Sequence, residues 1–204
     1  MSNVVDQPQS QVAEGKYVYC IIKSKEPRSF GPMGIGSRSD DVYTVHYEDL
    51  AAVVSNTPIM VYDPTRDEMF AAERGQGAHL NGRRVRVSEV DELNNSMLCT
   101  GFPYNVRERP DFAREFANFT MKAQAVRRDG SAAIDLAYVA CGRFDGFWED
   151  GLNPWDVAAG VLLIEEAGGR VTDFAGGPLN IFTPKVLASN GLVHNSMMRV
   201  LGTN

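Results

Sequence analysis

The stretch from Arg128 to Glu166, RDGSAAIDLAYVACGRFDGFWEDGLNPWDVAAGVLLIEE, decides the fold. It contains a glycine-led helix start, a short strand and a second helix start that is led by proline. Gly130, Ser131 and Ala132 place small residues and unpaired backbone N–H groups at the first turn of an apolar helix, where the helix dipole favours an anion. The stretch therefore predicts a phosphate-sized anion site at this turn.

Two acidic residues follow this helix and can reach the same turn. Residues 144–148 predict a strand that ends in Glu149, and the helix that begins at Pro154 carries Asp156 in its first turn. If the loop between them turns back, both carboxylates face one pocket with the glycine turn. A purely structural alternative stays open for each residue: Ser131 caps a helix, Asp156 stabilises a helix start and Glu149 ends a solvated strand.

The same stretch resembles the second half of the inositol monophosphatase family, through GSAAxDLAYVAxGRxDGFWE followed by PWDxAAGxLLxxEAGG. The resemblance implies an αβαβα layered fold and hydrolysis of phosphate monoesters with Mg²⁺. By motif position it implies that Asp156 binds metal and that Glu149 contacts a substrate hydroxyl. It also implies that Gly130, Ser131 and Ala132 form the backbone turn beside a phosphate or inositol-phosphate-like small molecule.

The family's main metal-binding motifs are missing from this sequence. The likeness extends upstream only to about Val61, through VYDPxxxExFxAxxGxGAxLNG, and the chain contains neither the glutamate-pair motif nor DPxDGT. The sequence that begins at Asp63 resembles the start of DPxDGT but does not match it. The next acid, Asp67, stands four residues away rather than three, and no Gly-Thr follows. Metal-assisted hydrolysis needs several convergent carboxylates. We therefore expect little or no activity from this chain alone.

The N-terminal part has a different character. Residues 1–15 are polar and lack periodicity, which predicts a mobile tail. Residues 16–59 favour strands, and their segments GKYVYCII, GPMGIG and VYTVHYEDLAAVVSNTPI resemble the beginning of the F/L family of gas-vesicle accessory proteins. That resemblance implies gas-vesicle proteins as possible partners. The alternative function is thus a noncatalytic assembly module, or a chain spliced near residue 59 that has no evolved activity.

Strands alternate with helices in residues 60–204, which predicts an α/β fold (α+β overall) built as a layered αβα unit. The small strand-rich segment precedes this unit. Because the first half of the implied fold is absent from the pattern, one sheet edge is expected to be exposed. An exposed edge favours homodimerisation or aggregation.

Composition excludes several classes of protein. With 204 residues and 44% hydrophobic residues, the chain can bury a sizeable core. A formal charge of −6 and the lack of a long basic run argue against nucleic-acid binding. No apolar run is long enough to span a membrane, and the polar N-terminus does not resemble a secretory signal. Three cysteines without a CxxC pair favour a reducing cytoplasm.

The three histidines do not form a recognisable site. His46, His79 and His194 lie in separate elements without the paired spacing of a zinc site. We expect loop or surface positions for them rather than a catalytic role.

Overall fold

The computed structural model describes residues 18–21, 58–103, 106–182 and 185–202. Its strands are β1 Val18–Ile21, β2 Ile59–Asp63, β3 Glu68–Glu73, β4 Gly77–Leu80, β5 Arg83–Val85, β6 Met97–Thr100, β7 Ala125–Arg127, β8 Gly146–Asp150, β9 Arg170–Thr172 and β10 Lys185–Ser189. Its helices are α1 Pro110–Thr120, α2 Ala132–Ala140, α3 Pro154–Glu166 and α4 His194–Leu201.

The first sheet contains β1 to β5 in chain order. Strand β1 runs parallel to β2, and the other neighbours are antiparallel. Strand β4 occupies residues for which the sequence indicated only turns. It forms a strand because it pairs on both sides and because α3 supports the turn that leads into it. There, the Glu166 carboxylate accepts hydrogen bonds from the N–H groups of Gly75 and Gly77, each at 2.8 Å.

The second sheet has the order β7-β6-β8-β10-β9 and carries the site region. Strands β6, β7 and β8 are parallel, whereas β10 is antiparallel to both β8 and β9. Thr100 of β6 stands opposite Trp148 of β8. Because β6 and β8 are parallel, their carboxyl ends meet at the same edge of the sheet.

Helices α2 and α3 lie between the two sheets. One core joins Ile59 of the first sheet, Leu163 of α3 and Phe147 of the second sheet. On the other face of the second sheet, Trp148 packs against α4 and against Phe119 of α1, with the two ring centroids 4.0 Å apart. The layers therefore run sheet, helices, sheet, helices. This arrangement confirms a layered α/β fold and adds a second sheet to the predicted unit.

Much of the predicted N-terminal structure lies outside the described residues. This holds for the tail at residues 1–15, the glycine loop at 30–36, the strand expected at 42–45 and the strand or short helix end expected at 50–54. Strand β1 agrees with the strand that the sequence predicts at residues 17–22. Within the part of the chain that the structure describes, no helix has the length and apolar character needed to cross a membrane.

His194 is fully buried in the first turn of α4, so the expected loop or surface position is wrong for this residue. Its ring lies between two hydroxyl groups, with Nε2 2.9 Å from Thr172 Oγ1 and Nδ1 2.8 Å from Ser189 Oγ. Thr172 gives its own proton to the Asp173 carbonyl and therefore accepts one from Nε2–H. Ser189 then donates to Nδ1, so the neutral ring satisfies both contacts.

We expect the stabilising contribution of His194 to disappear in acid. Burial, followed by the nearby Arg170, lowers its pKa to about 4, whereas the pKa of an unfolded histidine is about 6.5. The folded chain favours the neutral ring, so the contribution is complete above about pH 6.5 and is lost as the pH falls towards 4.

Urea unfolding of wild type and His194→Gln measures this effect. The difference between their free energies of unfolding should shrink by about 2 kcal/mol between neutral pH and about pH 4.5. General acid destabilisation affects both proteins, so it cancels in the comparison. A difference that stays constant with pH would contradict the assignment.

Candidate functional site

The predicted glycine turn lies directly before α2. Gly130 has φ of +90°, a conformation that favours glycine, and a Cβ added there would meet no atom within 4 Å. Ser131 caps the helix, because its Oγ accepts a hydrogen bond from the Ile134 N–H at 3.4 Å. The structural interpretation of Ser131 is therefore confirmed. The first-turn amides of Ala132 and Ala133 have no acceptor within the helix, and they border the open space beside Gly130.

Glu149 lies near the end of β8 and is buried, so the alternative of a solvated strand end is wrong. Side chains alternate along a strand, which places Glu149 on the same face as Phe147, towards α2 and α3. The N–H of Gly101 faces the Glu149 carboxylate and opposes the rise of its pKa. A Cβ on Gly101 would overlap both oxygens of that carboxylate. Gly101 is thus a site residue that the sequence analysis missed.

Asp156 stands at the third position of α3 and is half-buried. Its Oδ2 accepts a hydrogen bond from the Asn153 N–H at 2.9 Å, so it forms a capping box with its own helix. The chain reaches α3 through Gly151, whose φ of +99° allows a sharp turn after β8. The capping box supports the structural interpretation of Asp156 as a residue that stabilises its helix start.

The two acids influence each other. Burial, followed by the negative charge of Asp156, raises the pKa of Glu149 to about 7, while Arg128 and the Gly101 N–H oppose the shift. Burial also raises the pKa of Asp156, and hydrogen bonds from Asn153 oppose that shift. Glu149 can therefore exist in both its ionised and its protonated form near neutral pH. The charge of Asp156 therefore acts on Glu149, while a shared pocket with the glycine turn stays a prediction.

Asp135 is a second residue that the sequence analysis missed. It lies in the first turn of α2 with 0% of its surface exposed, and neither carboxyl oxygen has a hydrogen-bond partner. Burial raises its pKa to about 8, with further contributions from Asp129 and Glu149 and an opposing one from Arg128. The available signal was local: a single carboxylate interrupts the apolar run of α2.

Arg128 is an exposed positive charge near Glu149 and Asp135. Its guanidinium lies over the Phe102 ring, 4.8 Å from the ring centroid, and the side chain is exposed. Arg128 and the free amides of α2 attract anions, whereas the Glu149 carboxylate accepts hydrogen bonds from hydroxyl groups. The arrangement can therefore bind a small molecule that combines an anionic group with hydroxyls.

The described residues do not fit a working magnesium site. Among them, no three His, Cys, Asp or Glu side chains form a group that could hold a metal ion. The Asp156 carboxylate is also partly used by the capping box with Asn153. A magnesium ion prefers six oxygen ligands in octahedral geometry. The Asp156 carboxylate therefore provides only part of the ligand set of a magnesium site.

Comparisons with known proteins converge on one family. The profile described as "Inositol monophosphatase family" matches residues 39–202. The match begins inside the segment 16–59. It therefore reaches further upstream than the motifs that begin near Val61.

Individual relatives agree with this match. "Inositol-1-monophosphatase" of Synechocystis sp. is 43% identical over 162 residues, which cover 78% of this chain and 56% of that protein. "Nus factor SuhB" of Escherichia coli is 49% identical over 143 residues, which cover 68% of this chain and 52% of that protein. The chain spans about half the length of the curated relatives it matches.

A solved structure shares the fold. The inositol monophosphatase of Anabaena (Nostoc) sp. PCC 7120 superposes with a TM-score of 0.69 at 52% sequence identity. The superposition covers 70% of this chain and 57% of that one.

Proposed function

Because this chain belongs to the inositol monophosphatase family, we propose that it binds phosphate monoesters of the inositol-phosphate type. We also propose that the 204 residues hydrolyse such esters weakly or not at all by themselves. In this proposal the amides at Gly130, Ser131 and Ala132 hold the phosphate. Glu149 accepts a hydrogen bond from a substrate hydroxyl, and Asp156 supplies one carboxylate towards Mg²⁺.

One observation carries the binding proposal: Arg128, which stands two residues before the open turn at Gly130, acts electrostatically on Glu149, and Asp156 acts on Glu149 as well. Free amides and a helix dipole suit a phosphate, while a buried carboxylate suits a hydroxyl. The expected weakness of hydrolysis rests on the missing motifs and on the lack of a three-ligand group among the described residues. Without bound metal ions, phosphate transfer loses several kcal/mol of charge stabilisation.

A single NMR titration tests binding and hydrolysis together. Inositol monophosphate added in the presence of Mg²⁺ should shift the amide signals of Ser131 and Ala132 in a saturable manner. The ³¹P spectrum of the same sample should show release of inorganic phosphate no faster than in the Asp156→Asn variant. A loss of several kcal/mol corresponds to a rate about a thousandfold or more below that of a complete enzyme.

The matched control is Ser131→Ala. It removes the capping hydroxyl at a cost of about 1 kcal/mol but keeps the backbone amides, so binding should persist. Unchanged amide signals at saturating ligand would refute the binding proposal. Magnesium-dependent turnover that Asp156→Asn abolishes would show that this chain completes a metal site, and would refute the proposed weakness.

The noncatalytic assembly role stays a prediction. Strand β1, which runs parallel to β2, belongs to the segment that resembles gas-vesicle accessory proteins, and a strand pairing alone does not favour one partner. The proposals of a homodimer and of a splice near residue 59 likewise stay predictions.

A further inference from the structure

Asp135 differs from the other buried acids near it in the fold. Asp145 accepts hydrogen bonds from Ser88 and from the Met97 N–H, at 2.5 Å and 2.6 Å. Asp63 accepts one from Tyr138 at 3.0 Å. Asp135 is at least as buried, yet both of its oxygens lack a partner. Burying an unpartnered carboxyl group is unfavourable by several kcal/mol, so native proteins satisfy such groups, often with an ordered water.

The groups around Asp135 indicate which partner completes the hydrogen bonds of its carboxyl oxygens. Its charged neighbours are Asp129, which precedes the glycine turn, Glu149 of β8 and Arg128. The Cys99 thiol lies on the same inner face, 4.0 Å from the Asp135 carbonyl oxygen. Glu149 is faced in turn by Asp156 of α3, by Arg128 and by the Gly101 N–H.

Protonation suits Asp135 to a bridging role. Burial raises its pKa to about 8, which favours the protonated carboxyl group at neutral pH. A protonated carboxyl has one O–H donor as well as acceptor capacity. A water between the two groups could accept from Asp135 and donate to Glu149, which meets the minimum of two polar partners for a buried water.

We propose that Asp135 is a positioning residue: a buried water joins its carboxyl group to Glu149 and holds Glu149 ready for a hydroxyl of the ligand. The inference deepens the proposed function, on which its ligand-binding part rests. It assigns Asp135 to recognition of the polyol end of a phosphate ester. The phosphate end, held at the start of α2, does not depend on it.

A crystal structure of the chain tests the bridge without any ligand. We expect an ordered water within hydrogen-bond distance of both the Asp135 and the Glu149 carboxyl groups. The water should remain in Asp135→Asn, which keeps a polar side chain of the same shape, and should be absent in Asp135→Leu. A dry Asp135, or one bonded directly to a protein group, overturns the proposal whatever the ligand measurements give.

Calorimetric titrations with inositol monophosphate and with inorganic phosphate test the positioning role. Asp135→Leu should bind inositol monophosphate about tenfold more weakly, as expected for one lost hydrogen bond, and inorganic phosphate unchanged. Asp135→Asn should restore most of the difference. An equal loss for both ligands indicates general damage to the fold and overturns the role.

The two proposals fail in different ways. If the wild-type chain binds neither ligand, the proposed function and the role of Asp135 in ligand selection are both refuted. Electron density for a water between Asp135 and Glu149 then tests the bridge independently of ligand binding.

Discussion

Replacing Asp145 with alanine should lower the free energy of unfolding by about 3 kcal/mol or more, because two hydrogen bonds to a charged group are lost together. Asp145 is 6% exposed and stands just before β8. Its carboxylate accepts from Ser88 Oγ and from the Met97 N–H of β6, and its carbonyl accepts from the Asn190 N–H after β10. It therefore joins three strands of the second sheet at one point.

Urea unfolding monitored by circular dichroism measures this loss. The matched variant is Asp145→Asn, whose amide oxygen can still accept from Met97 and whose amide nitrogen can donate to Ser88. It should lose clearly less stability than Asp145→Ala, and both variants should keep the wild-type denaturant dependence. A loss below about 1 kcal/mol in Asp145→Ala would show that these bonds are replaced by water.

Local signals in the sequence were sufficient for the helices and strands around the site. Pro154 and the pair Gly168-Gly169 predict both ends of α3, which runs from Pro154 to Glu166. The helical spacing of Met197 and Val200 predicts that they face inward, and both are buried. These predictions succeed because caps, breakers and periodicity act within one element.

Contacts inside the site could not be predicted in this way. Gly101 reaches the Glu149 carboxylate because β6 and β8 are parallel, with Thr100 opposite Trp148, and no local signal fixes that register. The burial of His194 likewise depends on hydroxyls from β9 and β10. Asp135 did carry a local signal, but its lack of partners depends on how α2 packs against the second sheet.

The second large effect on stability concerns the packing of α2 against α3. These two helices carry the glycine turn and Asp156. Gly160 of α3 lies against Leu136 of α2, and a Cβ added to Gly160 would stand 2.5 Å from the Leu136 Cβ. In an unhindered helix, Gly→Ala stabilises by about 1 kcal/mol. Here the overlap should force the helices apart, so we expect Gly160→Ala to destabilise the chain by about 1–3 kcal/mol.

Trimming Leu136 provides the control, because it removes part of the side chain that the new methyl group meets. Leu136→Ala alone should destabilise by about 2–5 kcal/mol through the cavity it leaves. In that background Gly160→Ala should destabilise less than it does in the wild type, because Leu136 Cγ and Cδ1, which the new methyl group would also meet, are gone while Leu136 Cβ remains 2.5 Å away. This reduction distinguishes a steric origin from a backbone one, and a Gly160→Ala effect of the same size in both backgrounds would contradict close packing as its cause. If the helix spacing also sets the site, the single Gly160→Ala variant should lose the ligand-induced amide shifts at Ser131, and the double variant should recover part of them.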